Sequence, residues 1–338
     1  MMKNLFDYAT KELSQDAFLR WLFENYDCEN ESVKNACRKL FDSFTENKFK
    51  DKTITKLTTV AQWKNIDISI WFKIDGIEQL IVIEDKTGSG IHDDQLVKYN
   101  EKIKEHNDYW KKRGEAYRTE RYLEDEENLF KVFYKTNIID QWERSNAERS
   151  GWKNIYDIIS IYELFSDIET DNQVLGYYIE YIKKIHSAAN REGKPSEWNL
   201  ISWHSFFNDY YQLGCVSEEK EINCYQKEYY YIKFFVKGHE KDLPCFEIRS
   251  RDFMYDKSSG KYSIEVRAVL YNLSEQANAQ SIEAWQQALS KHEFGLNHKT
   301  DISKHKQIGK IRIDNIDDNE EALKKTFDKI NILLSSLF

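Results

Sequence analysis

Between Asn65 and Tyr99 the chain reads NIDISIWFKIDGIEQLIVIEDKTGSGIHDDQLVKY, and its polarity pattern changes character three times. Ile66, Ile68 and Ile70 alternate with Asp67 and Ser69, the period of two that a half-buried strand imposes. Ile74-Asp75-Gly76 predicts a tight turn, with Gly76 free to take positive φ. Leu80 to Ile83 is an unbroken apolar run, as in a strand covered on both faces. It ends in Glu84-Asp85-Lys86. Side chains alternate along a strand, so Glu84 and Lys86 share one face and Asp85 takes the other. Antiparallel pairing about the turn predicts Asp67 near the level of Glu84 and Lys86. Gly88-Ser89-Gly90 then makes a second turn, and Asp93 or Asp94 can cap a helix. Gln95 and Tyr99 fall at i, i+4 on one face of that helix.

The rest of the chain supplies the surroundings of this stretch. Phe18, Trp21, Leu22 and Tyr26 form a stripe at helical spacing, which predicts a helix over 14–26 with Ser14 as its N-cap. Val33, Cys37, Leu40, Phe41 and Phe44 predict a second helix near 31–43. ITKLTTVAQW (54–63) reads as the strand entering the hairpin. The helix that carries Gln95 continues to about Tyr117, and LFKVFYKT (129–136) is a further strand. Ser160-x-x-Glu163 reads as a capping box that opens a short helix. Val174 to Ile185 marks a longer one. This order predicts an α/β unit with a mixed central sheet flanked by helices.

NREGKPSE (190–197) is polar and holds Gly193 and one of only two prolines, so it reads as a linker. The division expected is 1–189, a linker over 190–195, and a second, smaller α/β unit over 196–338. That unit reads as a helix (196–213), strands near 226–237, 244–251 and 261–271, a helix (275–291), a strand (306–314) and a terminal helix (318–337). Tyr225, Tyr229, Tyr230 and Tyr231, with Arg249, Arg251 and Arg267, offer rings and cations that can stack on bases or bind phosphate.

Two carboxylates and an ammonium converging at one sheet end have a direct chemical use. Carboxylate oxygens suit a hard divalent cation such as Mg²⁺, which keeps several waters and takes further ligands from a substrate phosphate. A lysine beside it can orient the attacking water or neutralise developing phosphorane charge. The structural alternative is a salt bridge at a strand end, which contributes little. Together these residues resemble the PD-(D/E)XK nuclease superfamily, whose pattern is Asp on one strand, (Asp/Glu)-x-Lys on the next and often Gln-x-x-x-Tyr on a following helix. Here those positions are Asp67, Glu84-Asp85-Lys86 and Gln95 with Tyr99. ELSQDAFLRWLFENY (12–26) is similar to the first helix of a bacterial branch. Ile66 stands where the name has Pro, a position that carries no chemistry.

The resemblance covers roughly residues 1–185 and implies a restriction-endonuclease-like core and a metal-dependent phosphodiesterase using Mg²⁺ or Mn²⁺. It implies Asp67 and Glu84 as metal ligands, with the Ile83 or Asp85 carbonyl completing the shell and Glu12, or less directly Asp16, in support. Lys86 would activate water, and Gln95 and Tyr99 would orient substrate. The implied partner is nucleic acid, DNA favoured over RNA, in a restriction-type or anti-phage setting. The second unit would recognise substrate, bind a partner or self-associate as a homodimer. Two alternatives stay open: a non-catalytic nucleic-acid-binding protein on the same fold, and a nuclease gated by a ligand of the second unit.

Composition adjusts this picture in two places. With 41% hydrophobic and 14% aromatic residues over 338, the chain can build ample core. The net charge of −9 runs against nonspecific gripping of nucleic acid. Local basic runs at Lys48, Lys50, Lys52 and Lys56, and from Lys98 through Lys104 to Lys111, Lys112 and Arg113, leave room for a basic surface. No apolar run approaches the ~20 residues of a membrane span, and Asp7, Lys11 and Glu12 interrupt any leader-like segment. The five cysteines form no C-x-x-C pair, so free thiols in a reducing cytoplasm are expected.

Overall fold

The computed structural model describes residues 4–7, 12–88, 90–91, 94–113, 120–212, 220–226, 230–236, 245–249, 253–271, 279–296, 305–318 and 320–335. The chain forms two compact units, Met1–Ser187 and Ala188–Phe338. In the first, α1 (Glu12–Glu24) and α2 (Glu31–Phe44) precede a hairpin meander of β1 (Thr55–Trp63), β2 (Ile66–Ile74) and β3 (Ile77–Lys86). Then come α3 (Gln95–Arg113), β4 (Leu129–Lys135), α4 (Gln141–Arg149), β5 (Asn154–Tyr156), α5 (Ile158–Phe165) and α6 (Gln173–Ala189).

The sheet order is β1-β2-β3-β4-β5. The first three strands pair antiparallel, whereas β3–β4 and β4–β5 are parallel, so the sheet is mixed. Gly76 takes φ +84 in the β2–β3 turn. β3 lies between β2 and β4, and its residues Gln79 to Lys86 are all buried. The polar end of that strand is therefore as enclosed as its apolar run. One face of the sheet is covered by α1 and α2, with Phe41 of α2 packing 4.9 Å, edge-on, from Phe72. On the other, Leu80, Val82 and Phe133 pack with Leu96, Tyr99 and Ile103 of α3 and Ala147 of α4.

Some local expectations change. Ser14 is not a cap, because α1 begins at Glu12; the cap position lies outside the described residues, as does Asp93. Ser160 is not a cap either. Asp157 starts α5, its carboxylate accepting from the amides of Ile159 and Ser160 at 3.2 and 3.1 Å. A charged acceptor one turn upstream outcompetes a hydroxyl. The capping box of this region is instead Asp140 with Glu143, at the start of α4. That helix and the three-residue β5 are too short for a periodicity signal.

The second unit is a seven-stranded, antiparallel sheet with helices. Its elements are α7 (Leu200–Gln212), β6 (Lys220–Gln226), β7 (Tyr230–Val236), β8 (Cys245–Arg249), β9 (Phe253–Asp256), β10 (Lys261–Tyr271), α8 (Ala279–Lys291), β11 (Gly295–Leu296), β12 (His305–Ile313) and α9 (Glu320–Ser335). The path is β11-β12-β10-β8-β7-β6, with β9 on β10. The strand expected near 226–237 is β7, and β6, which pairs with it antiparallel, precedes that range and was not expected. Trp203, Phe246, Val266, Leu289, Phe327 and Leu333 are among its buried core residues. Tyr229 and Arg251, and the side chains of Tyr225, Tyr230, Tyr231 and Arg249, lie outside the described residues. Arg267 pairs with Glu265 on its own strand at 3.4 Å. Among the described residues no helix is long and apolar enough to cross a membrane.

Candidate active site

The β2–β3 register, with Ile68 opposite Ile83, puts Asp67 level with Glu84. Cross-strand neighbours share a face, and the two carboxylates meet at the end of the sheet. Asp67 Oδ2 accepts from the Asp85 amide at 2.9 Å, while its Oδ1 accepts from Gln62 Nε2 at 3.1 Å. Lys86 Nζ bonds Glu84 Oε1, lies 3.9 Å from Asp67 Oδ2 and donates to the Asp85 carbonyl at 3.2 Å. From α3, Gln95 Nε2 reaches Glu84 Oε1 at 2.7 Å and the Tyr99 hydroxyl at 2.7 Å. The structure thus brings Asp67, Glu84, Lys86, Gln95 and Tyr99 together. Glu12, at the start of α1, is near enough to act electrostatically on Lys86 and Asp16.

Electrostatics mark this cluster as short of a positive charge. Burial and the Asp67 carboxylate push Glu84 up to about 8, against the pull of Lys86. Burial alone would lower the Lys86 ammonium, but Glu84 and Asp67 hold it above its ordinary value. Burial and Glu84 raise the Tyr99 phenol to about 12, so it stays a hydroxyl donor. Lys86 and Gln95 both engage Glu84 Oε1. Glu84 Oε2 is buried and has no hydrogen-bond donor, an arrangement that costs free energy unless a cation or proton meets it.

Asp85 points to the other face and organises a second layer. Its Oδ1 accepts from Gln15 of α1, and Gln15 in turn accepts from Thr136 Oγ1 at 2.7 Å. The Thr136 amide donates to the Lys86 carbonyl at 3.0 Å. Asp16 faces Asp85 within hydrogen-bonding reach; burial and Asp67 push it up to about 6, while burial and Asp16 hold Asp85 well above the usual carboxylate range. Neither Asp16 Oδ1 nor Asp85 Oδ2 has a donor, so the two carboxyl groups repel unless one of them is protonated. Gln15 and Thr136 were absent from the sequence-based site, which used Asp85 only through its backbone carbonyl. The available signal was Gln15 and Asp16 lying on the same helix face as Phe18 and Leu19, polar residues where apolar ones belong.

A further ion pair flanks the site. Lys135 is level with Lys86 on the adjacent strand, and its Nζ bonds both Glu143 oxygens at 2.7 Å. Both residues are buried. A Cβ at Gly90 would lie 3.2 Å from Glu143 Oε1, so this pair also packs against Gly90. Glu143→Ala would leave the Lys135 ammonium buried and unpaired. The expected cost is about 3–5 kcal/mol, read from denaturant unfolding; a change under about 1 kcal/mol would show that the pair holds nothing.

A family model described as the PD-(D/E)XK nuclease superfamily matches residues 3–231. The chain belongs to that superfamily. The match extends past residue 185, where the sequence resemblance ends, and reaches into the second unit as far as β7. Comparison with curated proteins and with solved structures returned no match. Membership supports a nuclease-type function and implies nucleic acid as substrate. PD-(D/E)XK nucleases typically use divalent metals. Among the described residues no group of three or more His, Cys, Asp or Glu side chains forms a ready cage. Two carboxylates suffice for Mg²⁺, which retains waters, and the donorless Glu84 Oε2 beside Asp67 fits such an ion.

Proposed function

We propose that this protein is a divalent-metal-dependent nuclease that hydrolyses DNA, with Asp67 and Glu84 holding Mg²⁺ or Mn²⁺ and Glu12 lending negative charge. The observation that carries this reading is Glu84 Oε2, buried, without a donor, and beside a second carboxylate. A bound ion would supply Lewis acidity toward a phosphate oxygen and a lowered pKa for a coordinated water. Lys86, kept charged by Glu84 and Asp67, is a fixed donor that places the attacking water and offsets charge developing on the phosphate. Gln95 and Tyr99 lock the Glu84 rotamer from α3 and offer donors to substrate oxygens. Asp85, Gln15 and Thr136 hold the strand end from behind, so the carboxylates need not reorganise as charge builds.

A restriction-type or anti-phage role in the cytoplasm rests on the resemblance to the bacterial branch alone, as does a homodimer. Cleavage of plasmid and single-stranded DNA, and of RNA, with and without Mg²⁺ or Mn²⁺ tests the reading. Cutting that requires the metal and prefers DNA is expected. Tight binding with no cutting on any substrate would favour the non-catalytic alternative.

A further inference from the structure

One face of α3 starts at the site and leads away from it. Tyr99, Lys102, His106, Tyr109 and Arg113 follow at spacings of three and four, with Trp110 next to Tyr109, which places them along one side of a helix. Cations and rings interleave: Lys102 Nζ lies 5.8 Å from the Tyr99 ring centre, and the Arg113 guanidinium lies 4.8 Å from Tyr109 and 5.9 Å from Trp110. From Tyr99 to Tyr109 is about 15 Å of helix axis at 1.5 Å per residue. α3 carries six Lys or Arg against three Asp or Glu, opposite in sign to the chain's −9.

Partway along this row a cavity of about 380 Å³ opens between the helix and the β1–β2 turn, lined by Lys64, Lys102, His106, Tyr109 and Trp110. Its walls are held by contacts from several elements. Lys64 and Asn65 take positive φ in the turn, at 57° and 68°, and Lys102 Nζ donates to the Lys64 carbonyl at 3.1 Å. Trp63 meets the His106 ring edge-on at 5.0 Å, and His106 Nε2 sits 2.7 Å from the Arg121 carbonyl. Tyr109 nevertheless remains 47% exposed, a large ring left to solvent on a helix whose other rings are packed.

We propose that this row is a track for a single strand of nucleic acid, and that the cavity beside Tyr109 takes one of its bases. The inference rests on reading the site as a nuclease centre, since the row begins at Tyr99. A phosphate backbone matches Lys64, Lys102 and Arg113, and a base presents a flat face to Tyr109 and Trp110. Glu105 and Glu120 complete the cavity wall. Set beside Lys64 and Lys102, they offset the positive charge of the cavity wall and disfavour a phosphate inside it. Bases in a duplex are stacked on one another, so an aromatic cavity selects an unpaired one.

The test is fluorescence anisotropy of the full chain with labelled single-stranded and duplex oligonucleotides, DNA and RNA, in EDTA so that no cleavage is needed. Single strands are expected to bind more tightly than duplex. Tyr109→Ala should weaken single-strand binding about tenfold and leave duplex binding unchanged, with Tyr109→Phe restoring it. Lys64→Glu with Arg113→Glu should flatten the salt dependence. Equal single-strand binding by the parent, Tyr109→Ala and the charge-reversed variant overturns the track, as does a parent that binds nothing or prefers duplex. A parent that cuts nothing yet binds through Tyr109 removes the nuclease reading and leaves the track standing. Metal-dependent cutting with binding indifferent to Tyr109 does the reverse.

Discussion

Lys86→Ala is expected to lower cleavage about 10³-fold or more while leaving the stabilising response to Mg²⁺ or Mn²⁺ in place. The ammonium bonds Glu84 and stands 3.9 Å from Asp67, the two carboxylates proposed as metal ligands, but an ammonium offers a cation no ligand atom. Its loss removes a buried, preorganised donor, and one such group is worth about 10²–10³ in rate. The proposed role of Lys86 in placing the attacking water would add to that. Truncation also leaves Asp67 and Glu84 without their cation, so metal-free variant should be less stable than metal-free parent. Divalent ion then has more repulsion to relieve, and the rise in melting temperature should be at least as large as the parent's. Cleavage at parental rate by a correctly folded Lys86→Ala would move the chemistry elsewhere. A lost metal response would make Lys86 a structural support for the ligands.

Much of this arrangement was legible because it is local. Alternation over Ile66–Ile70, the Gly76 turn and the apolar run into Glu84 are each set within a few residues, and together they determine which side chains share a face. The i, i+4 spacing of Gln95 and Tyr99 works the same way on a helix. What was not legible depends on partners far along the chain. Alternation puts Asp85 on the opposite face but does not name its partners: Gln15, 70 residues away, bonds it, and Thr136, 51 residues away, bonds Gln15. Lys135 and Glu143 give no sign of burial in a sequence with 32% charged residues. Short elements failed for another reason. α4 and β5 are shorter than the window over which periodicity rises above chance, and Asp157 displaced Ser160 as a cap through charge, not pattern.

The second large effect is the coupling between the Glu84 carboxylate and stability. Glu84 has one oxygen with no donor and a second carboxylate beside it. In the metal-free protein its pKa is raised to about 8, above its value in the unfolded chain. The folded state therefore binds a proton that the unfolded state has released, and stability falls as pH rises through that interval, by up to about 1.4 kcal/mol per pH unit for one proton. Asp16, raised to about 6, adds to the loss in its lower part. The metal-free parent should thus lose melting temperature between about pH 5 and 8, and Glu84→Gln, which keeps the shape without the charge, should lose less. At pH 8 the variant should be the more stable of the two. Divalent metal reverses that order. On the proposed reading it would bind the folded parent at Asp67 and Glu84, and at a concentration 100-fold above its dissociation constant would stabilise it by about 2.7 kcal/mol. Glu84→Gln and Asp67→Asn should gain little, because an amide oxygen is a poor substitute for a carboxylate toward a hard cation. Thermal unfolding of the three proteins across pH, with EDTA and with Mg²⁺ or Mn²⁺, reads both signs without any substrate. Equal metal responses in all three would place the ion away from Asp67 and Glu84, whatever the enzyme cuts.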